Sequence, residues 1–159
     1  MRFSLTINSY LESAMQSAFF FRKFSEGDYP EMISLWESLG LGGAHRGDDL
    51  RIIDRTIKMG GQLLLMLEKE SDSIVGTSWL TVDGRRTYLH HFGIKEGLQG
   101  KGLAKMLLDE SLKLAKTFGM QVKLEVHKDN FKALGLYTKA GFTYLGDYQT
   151  FIIRDISTI

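Results

Sequence analysis

The chain contains no cysteine. Disulfides, thiolate zinc sites and a covalent cysteine intermediate are therefore excluded. The absence fits a reducing compartment, and a cytoplasmic location is expected. Long apolar runs are missing too. The longest, Leu63–Leu67, is far short of the ~20 residues that span a bilayer. Residues 1–20 lack a basic start followed by an apolar stretch of leader length, so no secretion signal is expected. Charge of one sign is also missing. A net charge of +1 provides no bulk electrostatic case for nucleic acid or a membrane as partner. The four histidines (His45, His90, His91 and His127) show no helical metal-ligand spacing, and no metal site is expected. What is present is ordinary: 159 residues, 43% apolar and 25% charged, describe one globular domain with an adequate core.

Residues 1–17 are polar-rich and weakly patterned. They read as an N-terminal extension, either a surface tail or a helix used in a homodimer contact, ahead of a domain over 18–159. Phe19–Phe24 is a strong strand signal. Asp28 can cap a helix over Tyr29–Leu39, with Pro30, the chain's single proline, in its first turn. A glycine-rich loop, 40–47, leads to a second helix over Asp48–Lys58, closed by Gly60-Gly61. Strands follow at Gln62–Glu68, Ser73–Val82 and Arg86–Ile94, the last two joined through the hairpin signal Asp83-Gly84. A helix with a wide apolar stripe covers Leu103–Phe118. Val122, Leu124 and Val126 alternate as in a strand. Asp129 can cap a short helix over Asn130–Ala140, and a last hairpin is expected over Phe142–Ile156, turning near Gly146-Asp147. The pattern predicts an α/β domain.

Between a strand and a helix lies Gln99-Gly100-Lys101-Gly102-Leu103-Ala104. Glycines at such a turn let backbone approach a ligand closely. The first N–H groups of the helix, with its dipole, suit a phosphate. Two familiar phosphate loops do not fit. A Walker A loop needs Ser or Thr after Gly-Lys and a glycine at position 95, where this chain has Gly102 and Lys95. A dinucleotide fingerprint needs a third glycine where Lys105 stands.

What remains, Gln99-x-x-Gly102-x-Ala104, resembles the pyrophosphate motif of the GCN5-related N-acetyltransferase (GNAT) family. The stretch Leu124–Phe142 is similar to that family's second signature, with Asn130, Ala133, Tyr137 and the closing Gly141-Phe142 in register. Ile74-Val75-Gly76 resembles its third-strand start, and the likeness runs over about residues 19–155. It implies a single GNAT domain: a mixed central sheet of about seven strands, flanked by four helices, with a splay between the fourth and fifth strands.

The resemblance also implies function. Acetyl-CoA would be the cosubstrate, without a metal, and its acetyl group would pass directly to a primary amine of a small molecule or peptide. Backbone from Gln99 to Ala104 (Gln99, Gly100, Lys101, Gly102, Leu103 and Ala104) would hold the pyrophosphate, with Lys101 and Lys105 adding charge. Strand backbone at Phe92, Gly93 and Ile94 would hold the pantetheine arm, and Asn130 and Ala133, on the face of Tyr137, would also contact the cosubstrate. Tyr137 matches the tyrosine that protonates the departing thiolate. The family often has a Glu on the strand before the loop; here His90 occupies that place and is the expected base, titrating near neutrality. Adjacent strand residues face opposite sides, so at most one of His90 and His91 is expected at the acetyl site. Glu125 or water are the substitutes. The acceptor would meet the loop Leu39–Leu50 and the hairpin near Asp147, with His45, Arg46, Asp48 and Asp49 as candidates, although Asp48 is equally a helix cap. Two other readings stay open: a CoA-binding sensor without catalysis, and an interaction module without CoA affinity.

Overall fold

Alternation and its loss set the sheet. In a computed structural model that describes residues 14–15, 17–146 and 149–158, the strands are β1 (Phe19–Lys23), β2 (Gln62–Glu68), β3 (Ile74–Val82), β4 (Arg86–Ile94) and β5 (Gln121–Leu124). The helices are α1 (Tyr29–Ser38), α2 (Leu50–Lys58), α3 (Leu103–Phe118) and α4 (Phe131–Lys139). The chain divides into two compact units, Met1–Glu125 and Val126–Ile159.

The first unit holds the sheet, in the order β1-β2-β3-β4-β5. The first four strands pair antiparallel, and β5 lies parallel to β4. A parallel neighbour requires a crossover, and α3 supplies it. The apolar run in β2 follows from burial on both faces. Leu63, Leu65 and Leu67 pack with Met32, Leu35 and Trp36 of α1 and Ile53 of α2. Leu64 and Met66 face the other way, with Val75, Ile94 and Leu103 and Leu107 of α3. Each layer removes several large side chains from water, at roughly 1.5–3 kcal/mol apiece.

The sheet has five strands among the described residues, not about seven. The two missing ones are those of the expected hairpin over Phe142–Ile156. Residues 142–146 and 149–155 form no ladder, and Tyr144, Leu145, Phe151, Ile152 and Ile153 are exposed. Their β-branched and aromatic character is a preference for a pleated, half-buried surface. Without a paired neighbour that preference does not make a strand. Asp147, at the expected turn, lies outside the described residues, as do residues 1–13 and 16 of the N-terminal extension.

Caps were also reassigned. Asp49, not Asp48, caps α2, its carboxylate accepting from the Ile52 N–H at 2.9 Å. Asn130, not Asp129, caps α4 through the Ala133 N–H. The Asp28 carboxylate does not cap α1. It accepts two bonds from Arg22, at 2.6 and 2.7 Å, and one from the Ser25 N–H.

Candidate active site

The site begins where β4 outruns β5. The two strands pair from Arg86↔Gln121 to Leu89↔Leu124. Beyond that rung β4 continues to Ile94 while β5 has ended. Phe92, Gly93 and Ile94 lie on this stretch of β4, beyond its last rung with β5. On the other side β4 stays on β3, with Thr77↔Gly93 and Gly76↔Ile94 in register.

From Ile94 the chain enters the glycine loop. Gly100 and Gly102 adopt φ of +77° and +83°, which only glycine takes readily. A Cβ on either would meet no protein atom within 4 Å, so that side of the loop is open. Gln99 turns back, and its side-chain amide donates to the Ile94 carbonyl at 2.9 Å. That bond fixes the loop to the end of β4. Leu103 anchors α3 in the core, and Ala104 packs at its edge. The helix opens at Gly102 with no side-chain cap and no acidic residue in its first turn. Its first N–H groups lack intrahelical partners, so this end fits an anion such as a pyrophosphate. Lys101 is exposed beside it. Lys105 is engaged by Asp109 at 2.6 Å.

The two histidines do not alternate. Trp79 pairs with His90 and Thr77 with Gly93, so Ser78 stands opposite both His91 and Phe92. This β-bulge re-aims β4. His91 takes φ +42°, an uncommon value outside glycine. Both rings now reach the same indole: Trp79 lies 5.9 Å from His90 and 5.3 Å from His91, centroid to centroid. The bulge is held by a buried relay. The Trp36 indole donates to Thr77 Oγ1 at 2.8 Å, and the Thr77 hydroxyl donates to the His91 carbonyl at 2.8 Å.

His90 stacks on Tyr88, and its Nε2 lies 2.8 Å from Thr81 Oγ1. Burial, aided by the neighbouring His91, pulls its imidazole down to about 4. The expected near-neutral titration of His90 is therefore corrected: lost hydration outweighs the nearby carboxylates. Tyr88 is pushed well above the ordinary phenol range by burial and by its hydrogen bond to Glu125. Glu125 is thus already engaged by Tyr88, with Lys123 at 3.7 Å.

His91 is the residue that alternation misplaced. Its ring lies 4.1 Å from that of Trp36, with only 9% of its side chain exposed. Nε2 is 3.2 Å from Asp48 Oδ2, and neither ring nitrogen completes a hydrogen bond. The doublet Asp48-Asp49 carried a signal for this contact, since only one of two adjacent acids can cap the helix. Among the described residues, no group of three His, Cys, Asp or Glu side chains gathers as metal ligands would.

In the second unit, Tyr137 on α4 is buried, its ring edge-on to Phe142 at 5.7 Å. Burial raises its phenol to about 12. Asn130 and Ala133 precede it, engaged with each other as cap and first-turn N–H.

The sequence pattern of the acetyltransferase (GNAT) family matches residues 25–142. Solved structures carry the same fold. A GNAT acetyltransferase from Staphylococcus aureus Mu50 is 22% identical with a TM-score of 0.71, over 83% of this chain and 90% of that one. Glucosamine-6-phosphate N-acetyltransferase from Arabidopsis thaliana is 19% identical at 0.67, over 84% and 97%. A predicted acetyltransferase from Clostridium acetobutylicum, solved with acetyl-CoA, is 17% identical at 0.67, over 84% and 96%. At these identities the structural likeness speaks to fold alone, whereas the family pattern spans most of the sequence and takes in both the glycine loop and Tyr137: the chain belongs to the GNAT acetyltransferase family.

Proposed function

We propose that this chain transfers an acetyl group from acetyl-CoA directly to the primary amine of a small molecule or peptide. The observation that carries the reading is the end of β4–β5 pairing at Leu89↔Leu124, ahead of a glycine loop at an uncapped helix start. When bound, the cosubstrate supplies an activated thioester. Backbone at Phe92, Gly93 and Ile94 would align its arm, and an N–H of the splayed strand would polarise the carbonyl as charge develops on oxygen. N–H groups of Gly100 to Ala104 would hold the pyrophosphate, with Lys101 adding charge. Tyr137 donates its proton to the departing sulfur. A phenol near 12 keeps that proton across the working range and yields it only as the thiolate forms.

His90, near 4, is a weak base at neutral pH, so water takes the amine's proton, with the imidazole as a hydrogen-bond acceptor. The absence of a β4 carboxylate, His90 standing in its place, favours one second reading, a CoA-binding sensor without turnover. Release of free thiol from acetyl-CoA separates the two. A panel of polyamines, amino acids, aminoglycosides and peptide N-termini should include at least one acceptor with amine-dependent release. Binding without release across the panel favours the sensor.

A further inference from the structure

A cleft of about 250 Å³ opens in the α1–α2 loop, lined by Glu37, Gly40, Gly42, His45 and Arg46. Its wall at Gly42 is where three charged or titratable side chains meet. A Cβ placed on Gly42 would lie 3.3 Å from Arg46 Cδ, 3.3 Å from His91 Nε2 and 3.5 Å from Asp48 Oδ2. Gly42 itself is buried at φ +116°, so the backbone leaves this space to those side chains. Asp48 is released from capping, because Asp49 does that work. Its carboxylate is 27% exposed, while the imidazole behind it is 91% buried by difference from its 9% exposure.

A buried imidazole with two unmatched nitrogens is costly unless something uses it. Here Nε2 lies 3.2 Å from Asp48 Oδ2 without completing a hydrogen bond. Were the carboxylate turned to accept from Nε2, Oδ2 would be held from inside and Oδ1 left for a cation arriving from outside.

We propose that Asp48 is the carboxylate that receives the acceptor's ammonium group, and that His91 is its positioning residue, donating Nε2–H to Oδ2 from the β4 bulge. The assignment rests on the acetyltransferase reading and names the substrate side of the same site: a cationic primary amine, recognised by the loop before α2. Trp36, its ring tilted against that of His91 and bonded to Thr77, holds the imidazole in place.

The test uses the full chain and the best acceptor from the amine panel. Asp48→Asn should raise the acceptor KM by about tenfold to a hundredfold, the range for losing a charged hydrogen bond. It should change kcat less and leave the acetyl-CoA thermal shift intact. His91→Phe keeps a ring on Trp36 but removes the donor, and should raise KM by a smaller factor. The double variant should be no worse than Asp48→Asn alone, since His91 acts only through Asp48. If His91→Phe does not fold, His91→Asn accepts the positive φ and takes its place in the cycle. An unchanged KM in Asp48→Asn, or additive effects in the cycle, overturns the assignment while leaving acetyl transfer standing. Absence of turnover in the unsubstituted protein overturns both.

Discussion

On folding, the His90 imidazole gives up most of its hydration and gains one hydroxyl, Thr81, in return. Its pKa falls from 6.5 to about 4. Between those values the unfolded chain binds the proton and the folded chain does not, so this residue makes stability rise with pH up to about 6.5 and fall below it. His90→Gln removes the term. Relative to the unsubstituted protein, it should gain about 2–3 kcal/mol between pH 7.5 and 4.5, read from urea midpoints at the two pH values. A constant difference would mean that the imidazole is more hydrated than its burial implies. Tyr137 is the complementary case, raised by burial to about 12. Tyr137→Phe should cut turnover by about 10²-fold and spare acetyl-CoA binding; unchanged turnover, with chemistry shown to limit the rate, would reduce Tyr137 to packing. Residue identities at the glycine loop and at Tyr137 were legible because they sit in fixed spacings. The partners of His91 were not. Strand alternation places His90 and His91 on opposite sides, and the bulge that defeats alternation depends on Thr77 and Trp36, 14 and 55 positions away. The choice between Asp48 and Asp49 as cap was likewise open, since either acid suits the position by type and only the fold decides which N–H it meets.

Elements were read more securely than contacts, and the reason is local. β2, β4 and α3 keep the predicted bounds because each has its period and its stop signals inside the segment. Val126 and residues 142–146 and 149–155 belong to no strand because a strand is defined by its neighbour, which no local pattern contains. The Asp28 carboxylate shows the same limit on a smaller scale. By sequence it is a cap for α1, yet it ties β1 to the turn before that helix through two short bonds from Arg22. The hydrogen-bonded guanidinium is the main cause that holds its carboxyl at about 2, below the ordinary 3.8. A depressed folded value means that the contribution is complete above pH 4 and is lost as pH falls toward 2. Asp28→Asn should therefore cost about 1 kcal/mol at pH 7, after a discount for solvent screening of this surface pair, and much less near pH 2. Denaturant unfolding of both proteins across that window checks it; a loss of equal size at both ends would point to shape, not charge.

For the whole molecule, the sheet leaves its working edge unfinished. The same strand that closes the core through Leu89 and Ile94 runs past its partner and delivers the chain to an uncapped helix. A partner that binds only the folded chain stabilises it by mass action. Acetyl-CoA at 100 times its dissociation constant should add about 2.7 kcal/mol. For a chain of this size that is a rise in Tm of about 5–10 °C, growing with the logarithm of concentration. Gly102→Asp supplies the internal control. It forces a side chain onto a backbone at φ +83° and sets a negative charge at the positive end of α3, where the pyrophosphate would lie. The substitution should lower the starting Tm modestly and abolish the shift. Should the unsubstituted protein melt at the same temperature with and without saturating acetyl-CoA, the cosubstrate assignment fails. A shift that survives in Gly102→Asp would instead move the pyrophosphate away from the loop while keeping the cosubstrate.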